Sequence, residues 1–436
     1  VSFDIVNADI VTGDGESYLE GSSLVIEDGL ITDVPRHPYI AYNFYSHRVI
    51  NAHGGIVLPG LINTHSHAVS FGPTLVWGWP QVPRERILQN LNTHLLQGST
   101  TLMNLDGWVL PHENEASNKI HPLNVRRATL HTPKNVIQSE IESGQRIQEP
   151  HRSYTAAEAV ASGAIAIGEV GSPSTSFGTY EKSRRLGRVI SPRDAQPLDD
   201  AYIAGDWDAF AEAVTRLGLD DLGIEGAKKL VKETSIDAIA ASDEAILETI
   251  EYSRTLGVPA LCHTEPPSYA AVLEAARALG PSLLALHVNH HTTIEAAVET
   301  ATELKARGAH VEVFAADSFG ARMIDPDPLP GFALLEKGLA DSICTDYCGG
   351  YHDPLLRYIS EAIRAGVGTL PSLIRLVTSS PAGFIPGLAP NRGLIEEGRV
   401  ADVIILDRND ITNVRYVIIG GEIVVEEGRI VAPIGA

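Results

Sequence analysis

The sequence predicts an α/β protein, a (β/α)8 barrel carrying a small flanking β-sandwich assembled from both chain ends. Two patterns lead to this architecture. The middle of the chain alternates short apolar runs with amphipathic helical stretches, and there are eight such runs. The two ends are instead rich in alternating Ile and Val with Asp-Gly turns, the signature of hairpins. At 436 residues, one barrel-sized domain plus a smaller one fits the length.

In order along the chain, "FDIVNADIVTGDG", "SSLVIEDGLITDV" and "HRVINAHGGIVLPG" read as short strands, and the style returns in "ADVIILDRND" and "VRYVIIGGEIVVEEGRIV". Residues 1–57 with 388–436 are therefore expected to pair as one composite sandwich, leaving 58–387 for the barrel. Its strands are expected in "GIVLPGLINTHSH", "STTLMNLDG", "VRRATLHTP", "GAIAIGEVG", "VPALCHTE", "LLALHVNHH", "GAHVEVFAADS" and "ADSICTDY". Between them, "SDEAILETIEYSRTLG" reads as a helix with Ser242 as N-cap and Gly257 as its stop. "TTIEAAVETATELKARG" has capping-box spacing at Thr292 and Glu295, and Gly308 ends it. The fourth strand, ending at Val170, is separated from the fifth, near Val258, by far more chain than one helix needs. That insertion, about 171–257, reads as a polar, turn-rich stretch followed by two helices, and serves as a lid or a subunit contact.

Composition narrows the function. Hydrophobic residues make up 44% and charged residues 20%, ordinary for a globular protein. The formal charge of -22 argues against nucleic acid or an anionic membrane as partner and leaves a small-molecule substrate. Three cysteines, Cys262, Cys344 and Cys348, are too few for a disulfide framework. No long apolar stretch and no signal-like N-terminal pattern appears, and the expected location is the cytoplasm.

The H-x-H pair in "GLINTHSHAV" puts His65 and His67 on one side of a strand. Alone, that pair suits a metal ion or mere polarity on a half-buried strand. The other strand ends sharpen the choice. Strand four ends in Glu169, strand five in His263, strand six in His287 and strand eight in Asp346. In a closed barrel all six converge on one mouth, and four imidazoles with two carboxylates exceed what one tetrahedral ion needs. Two divalent ions sharing a bridging group match the set.

Here the chain resembles the amidohydrolase superfamily over nearly its whole length. "IVLPGLINTHSH" is similar to that family's strand-one motif and "NRGLIEEGRVADVIILD" to its closing motif. The resemblance implies a first ion on His65, His67 and Asp346, a second on His263 and His287, and a bridge between them. Binuclear members often bridge with a carboxylated lysine; this strand four offers Glu169 instead, a pattern similar to enamidase. Cytosine-deaminase-like members use one ion and a glutamate three residues past the strand-five histidine, whereas Glu265 is two past it in "HTE". The implied reaction is cleavage of a cyclic amide or enamide C–N bond by a hydroxide held between two ions, with Asp346 shuttling the proton to the leaving nitrogen. Zinc is the first expectation for the metal, with iron, manganese or cobalt also suited. A homo-oligomer is a further implication of the resemblance.

Each residue also has a plainer role open to it. Asp346 could cap a helix near Asp353, Glu169 could merely orient a histidine, and His263 and His287 could be packed histidines. His131, ending strand three, reads as a substrate hydrogen-bonding group or a loop cap. Asn104, Asp106 and Asp317 are weaker substrate contacts, and His290, His291 and His352 read as solvated or supporting. Trp77 and Trp79 wall the pocket or simply pack; Lys134 reads as a surface lysine, Cys262 and Cys344 as buried thiols. The same metal pair would also serve a deaminase of an aminated heterocycle, a lactonase or a phosphotriesterase. A metal-binding barrel without activity is the non-enzymatic alternative.

Overall fold

The computed structural model describes residues 2–35, 48–171, 182–183, 185–187, 189–190, 192–290, 292–315, 318–320, 327–346 and 352–434. Asp317, His291 and Cys348, and the first part of the long insertion, lie outside the described residues.

The chain opens with β1 (Ser2–Val11), β2 (Tyr18–Glu27), β3 (Leu30–Asp33), β4 (Arg48–Asn51) and β5 (Ile56–Pro59). Eight parallel strands follow: β6 (Leu61–Ser66), β7 (Ser99–Asn104), β8 (Asn124–Arg127), β9 (Ile167–Val170), β10 (Ala260–His263), β11 (Leu283–Leu286), β12 (His310–Phe314) and β13 (Ser342–Cys344). The chain closes with β14 (Val403–Leu406), β15 (Val414–Ile419), β16 (Glu422–Glu426) and β17 (Arg429–Ile430).

The eight parallel strands keep sequence order, in arcs of three (β6–β8) and five (β9–β13). A parallel bridge from Thr129 to Ile167 joins the arcs, reinforced by Gly168 N–H donating to Thr129 O at 3.1 Å. Between β13 and β6 the link is made by side chains. Thr345 N–H donates to Asn63 Oδ1 at 3.0 Å, and Asn63 Nδ2 donates to Thr345 Oγ1 at 2.7 Å. Among the described residues the expected ring of ladders is thus present as two arcs, with a side-chain clasp where the last ladder would be. The β6 run is buried along its whole length, its polar residues Asn63, Thr64, His65 and Ser66 included.

The flanking domain departs from a two-sheet sandwich. Its nine strands form one sheet in the order β17-β16-β15-β14-β5-β1-β2-β3, with β4 also on β1. The reason lies in β1, long enough to pair with β4 through Phe3–Val6 and with β5 through Asp9–Ile10. Through β5 it is then continuous with β14. The sheet curls until Leu30 bridges Val400 and Ile31 N–H donates to Arg399 O at 2.9 Å. The curl closes a core of Phe3, Ile5, Ile26, Ile31, Val403 and Ile418. The single sequence run "GIVLPGLINTHSH" is accordingly two strands in two sheets, with Gly60 between them. A Cβ at Gly60 would stand 2.3 Å from Thr100 Cγ2, so no larger residue fits this crossing.

Helices corroborate some capping signals and move others. Gly257 ends its helix in the left-handed conformation, φ 68°. That helix, however, runs Asp237–Leu256, and Ser242 is buried inside it. A π-helical turn, Lys232–Ile236, feeds directly into it from helix Gly223–Val231, so the N-cap expected at Ser242 does not exist. Helix Ile294–Ala306 is capped by Thr293, whose side chain accepts from Ala296 N–H at 3.2 Å, rather than by Thr292. The insertion is more helical than its sequence suggests: helices Pro192–Ala204, Trp207–Arg216 and Gly223–Val231 share a core of Leu198, Phe210, Val214, Leu219 and Val231. Beside it, the buried Lys182 ammonium lies 2.8 Å from Asp199 Oδ2 and donates to Ser235 Oγ at 2.5 Å.

After β8 the chain makes an excursion through helix Pro133–Ser143 and returns where it left, Ala156 N–H donating to His131 O at 2.9 Å. The next helix, Ala156–Ala161, starts from a capping box between Thr155 and Glu158, worth about 1 kcal/mol. No helix among the described residues is long and apolar enough to cross a membrane.

Candidate metal centre

All six strand-end residues meet. His65 Nε2 and His67 Nε2 are 3.1 Å apart. Glu169 reaches from β9 with one oxygen toward each group of imidazoles. Its Oε1 lies 2.6 Å from His263 Nδ1 and 3.0 Å from His287 Nε2. Its Oε2 lies 3.3 Å from His65 Nε2 and 3.5 Å from His67 Nε2. Asp346 Oδ1 approaches the same two nitrogens at 3.4 and 3.6 Å. The ligand atoms of His65, His67 and Asp346 fall within 4.8 Å of one another, as do those of His65, Glu169 and His287.

The chain is bent locally to achieve this. His287 (φ 35°) and Asp346 (φ 43°) are non-glycine residues in the left-handed region, just past the ends of β11 and β13. Such backbone costs of order 1–3 kcal/mol and persists where the surroundings over-determine it. Asp346 does not cap the following helix, which starts at Leu355 with Pro354 as its N-cap.

The electrostatics ask for positive charge. Glu169, Asp106 and Glu312 are all buried, and their ion-pair partners among the described residues are histidines only. Burial pushes the Glu169 carboxyl up, but the His65 charge and the hydrogen bonds from His263 and His287 outweigh it, holding the group well below the usual range. Burial opposes protonation of His65, yet Glu169 and Asp346 drive it well above an ordinary imidazole. Against the same burial, hydrogen bonds to Asp106 and Glu169 lift His67 to about 9, and Glu265 with Glu169 lifts His263 to about 10. His287 goes the other way, lowered by burial and by His263. His65, His67 and His263 are raised because the buried carboxylates beside them need countercharge. Divalent cations would supply that charge and take the imidazoles in their neutral form. The donor set of imidazole and carboxylate, with His287 Nδ1 buried and without a hydrogen-bond partner among the described residues, fits such ions.

Four more residues belong to the cluster. Asp106 does not face a substrate; it lies behind His67, 3.2 Å from Nδ1, and also accepts from Leu75 N–H at 2.8 Å. Glu312, inside β12, lies behind His65. Glu265 Oε1 is 3.1 Å from His263 Nε2 and 2.8 Å from His290 Nδ1, so both residues are part of the site rather than solvated surroundings. The sequence signal for Glu265 was its place two residues past His263; nothing in the sequence singles out Glu312.

His131 is buried, with Nδ1 2.9 Å from Thr129 Oγ1 and Nε2 without a hydrogen-bond partner among the described residues. Burial, with His151 and Arg127 adding to it, lowers its pKa to about 3, so the ring is neutral. It packs edge-on against Trp108 and Tyr154. Trp77 packs on Trp79 and donates Nε1–H to Glu142 at 2.9 Å. Asn104 Oδ1 accepts from Asp106 N–H at 3.0 Å, holding the loop rather than a ligand. His352 is buried against Gln97, 2.7 Å away, and is not solvated. Lys134 is an exposed lysine paired with Glu244, and Cys262 and Cys344 are buried free thiols.

With this geometry in hand, comparison with known proteins is informative. Residues 224–424 match the Amidohydrolase family. The chain is 22% identical to imidazolonepropionase of Thermoplasma acidophilum over 421 residues, covering 93% of this chain and 90% of that one. Its fold is similar to the β-aspartyl dipeptidase of Fervidobacterium islandicum AW-1, solved with a β-Asp-Leu dipeptide, at TM-score 0.60 and 14% identity over 99% of this chain and 98% of that chain. It is also similar to a prolidase in complex with N-methylphosphonate-L-proline, at TM-score 0.63 and 16% identity over 98% and 100% of the two chains. These matches support a place in the amidohydrolase superfamily and identify the chain as an enzyme, a hydrolase of carbon–nitrogen bonds.

Proposed function

We propose that this enzyme opens a cyclic amide, cleaving its carbon–nitrogen bond at a pair of divalent metal ions bridged by Glu169. The observation that carries the reading is Glu169 itself, one oxygen facing His263 and His287 and the other facing His65 and His67. His65, His67 and Asp346 would hold the first ion, and His263 and His287 the second. The ions, when bound, supply a water whose pKa falls from 15.7 to roughly 7 and a Lewis acid for the substrate carbonyl. Asp346 would take the proton of that water and deliver it to the leaving nitrogen. His131, held by Thr129 at Nδ1, would offer Nε2 to the substrate. A cyclic amide agrees with the name of the relative in Thermoplasma, since an imidazolone is a ring amide; the glutamate bridge favours the enamidase-like form. Zinc is the first choice of metal. The same reading includes a homo-oligomer in the cytoplasm and a division into 1–57 with 388–436 and 58–387.

A second reading rests on Glu265. Although two residues past His263 rather than three, its carboxylate reaches His263 and His290. One ion with Glu265 handling the proton would suit a deaminase of an aminated heterocycle.

Metal analysis of the protein purified without chelator decides between them, run beside Glu169→Ala and with a panel of cyclic amides. The ring-opening reading expects about two ions per chain, falling to one or fewer in the variant. It also expects turnover that consumes base without releasing ammonia. A variant keeping both ions removes Glu169 from the bridge, and ammonia release with one ion establishes the deaminase.

A further inference from the structure

Both imidazoles of the H-x-H pair are backed at Nδ1 by a buried carboxylate from elsewhere in the barrel, one in the loop after β7 and one in β12. Behind His67 stands Asp106, 3.2 Å from Nδ1, itself fixed by Leu75 N–H and Ala68 N–H. Behind His65 stands Glu312, with Oε1 3.5 Å from Nδ1. Both atoms are buried, Glu312 Oε1 has no hydrogen bond among the described residues, and the Cys344 thiol stands close to both side chains. Glu312 is wholly buried, and its other oxygen is held by a short hydrogen bond from Thr64 Oγ1. Thr64 is the residue before His65, on the opposite face of β6, so one strand presents the histidine and also anchors the carboxylate behind it.

We propose that Glu312 is a positioning residue for the metal centre, accepting Nδ1–H of His65 and so fixing Nε2 as the free lone pair aimed at the first ion. The inference rests on the metal-dependent reading above. A neutral imidazole has one N–H and one lone pair, and the partner of the first decides where the second points. Asp106 makes the same choice for His67. The result is two Nε2 atoms facing each other at 3.1 Å. Two nitrogens each about 2.0–2.1 Å from one tetrahedral ion stand roughly 3.3 Å apart. The slight settling from 3.5 Å that brings Glu312 into hydrogen-bond range of Nδ1 breaks no hydrogen bond of Glu312 Oε1 among the described residues. A glutamate in the interior of a barrel strand, with no lysine or arginine beside it, is otherwise an expensive way to fill the core.

Glu312→Gln tests this. It keeps the shape but supplies one acceptor oxygen where Thr64 and His65 need two. Metal affinity is read by chelator competition on the purified protein, with thermal unfolding of the metal-free form as the control for packing. The expected result is roughly 10- to 100-fold weaker binding of the first ion, with Asp106→Asn showing a loss of similar size. Thr64→Val, which leaves both carboxylate and imidazole in place, shifts affinity the same way by less, and carries the test if Glu312→Gln does not fold. The spectrum of the cobalt-substituted wild type adds an independent readout. Unchanged affinity in Glu312→Gln and Thr64→Val overturns the proposal and makes Glu312 a packing residue. A cobalt–thiolate charge-transfer band also overturns it, because the ion would then lie with Cys344 on the Nδ1 side of His65. Failure of the wild type to bind any metal would instead remove the metal reading itself.

Discussion

Glu265 Oε1 stands 3.1 Å from His263 Nε2, while the other nitrogen of that ring, Nδ1, faces Glu169 Oε1 at 2.6 Å. One imidazole is thus held between two carboxylates, and its share in metal binding depends on which of them it answers to.

Glu265→Gln separates the two roles. If His263 holds the second ion, the variant weakens that ion, and metal content falls below two per chain in dilute metal. If Glu265 itself moves protons, metal content is unchanged and kcat drops about 10²- to 10⁴-fold. The two-ion reading expects the first outcome, measured by metal analysis alongside steady-state kinetics.

Glu142 gives a pH dependence outside the ligand set. Burial, opposed by its bonds from Gln138 and Trp77, pushes its carboxyl from 4.5 up to about 8. The folded state therefore binds a proton that the unfolded chain releases above about pH 4.5, so this group lowers stability as pH rises from there to about 8. The slope is roughly 1.4 kcal/mol per pH unit at most. Glu142→Gln keeps an acceptor for Trp77 and removes the titration. Its Tm is expected to fall less than that of wild type between pH 5 and 8, and parallel Tm curves would refute the assignment.

Gly60 sits where the flanking sheet hands over to the first barrel strand, and Thr100 fills the space a side chain would need. Gly60→Ala is expected to cost about 1–3 kcal/mol in urea unfolding. Metal ligation by His65, five residues on, would loosen with it.

Burial, with His151 and Arg127 adding to it, holds His131 down to about 3, which favours the neutral ring near pH 7. His131→Phe removes one neutral hydrogen bond, worth about 0.5–1.5 kcal/mol, so kcat/KM on a true substrate drops about 2- to 10-fold with metal content unchanged. Identical kinetics would show that the ring only supports the loop.

The strand ends are legible because a buried strand followed by a polar turn leaves a clear mark, and the side chains at such ends can be read without knowledge of tertiary packing. That is how His65, His67, Glu169, His263, His287 and Asp346 can be read together from the sequence. Asp106 and Glu312 differ in kind. Each is defined by what stands behind a histidine from another strand, and no local pattern encodes that neighbour. The flanking strands were legible as strands, but their union into one sheet depends on the length of β1 and the two partners it takes end to end. The helix through Ser242 ran past its apparent cap because a π-turn, with no composition signal of its own, joined it to the preceding helix.

The excursion after β8 leaves and returns at a single backbone hydrogen bond, from Ala156 to His131. Its ends meet there, so its length can change while the strands on either side keep their register, provided its ties to Val76, Trp77, Glu113, Glu244 and Glu248 are kept, since longer closed loops add little entropic cost. Trp77 and Glu142 meet at its inner face, so new substrate preferences can arise there by grafting, while the charge-bearing residues below stay as they are.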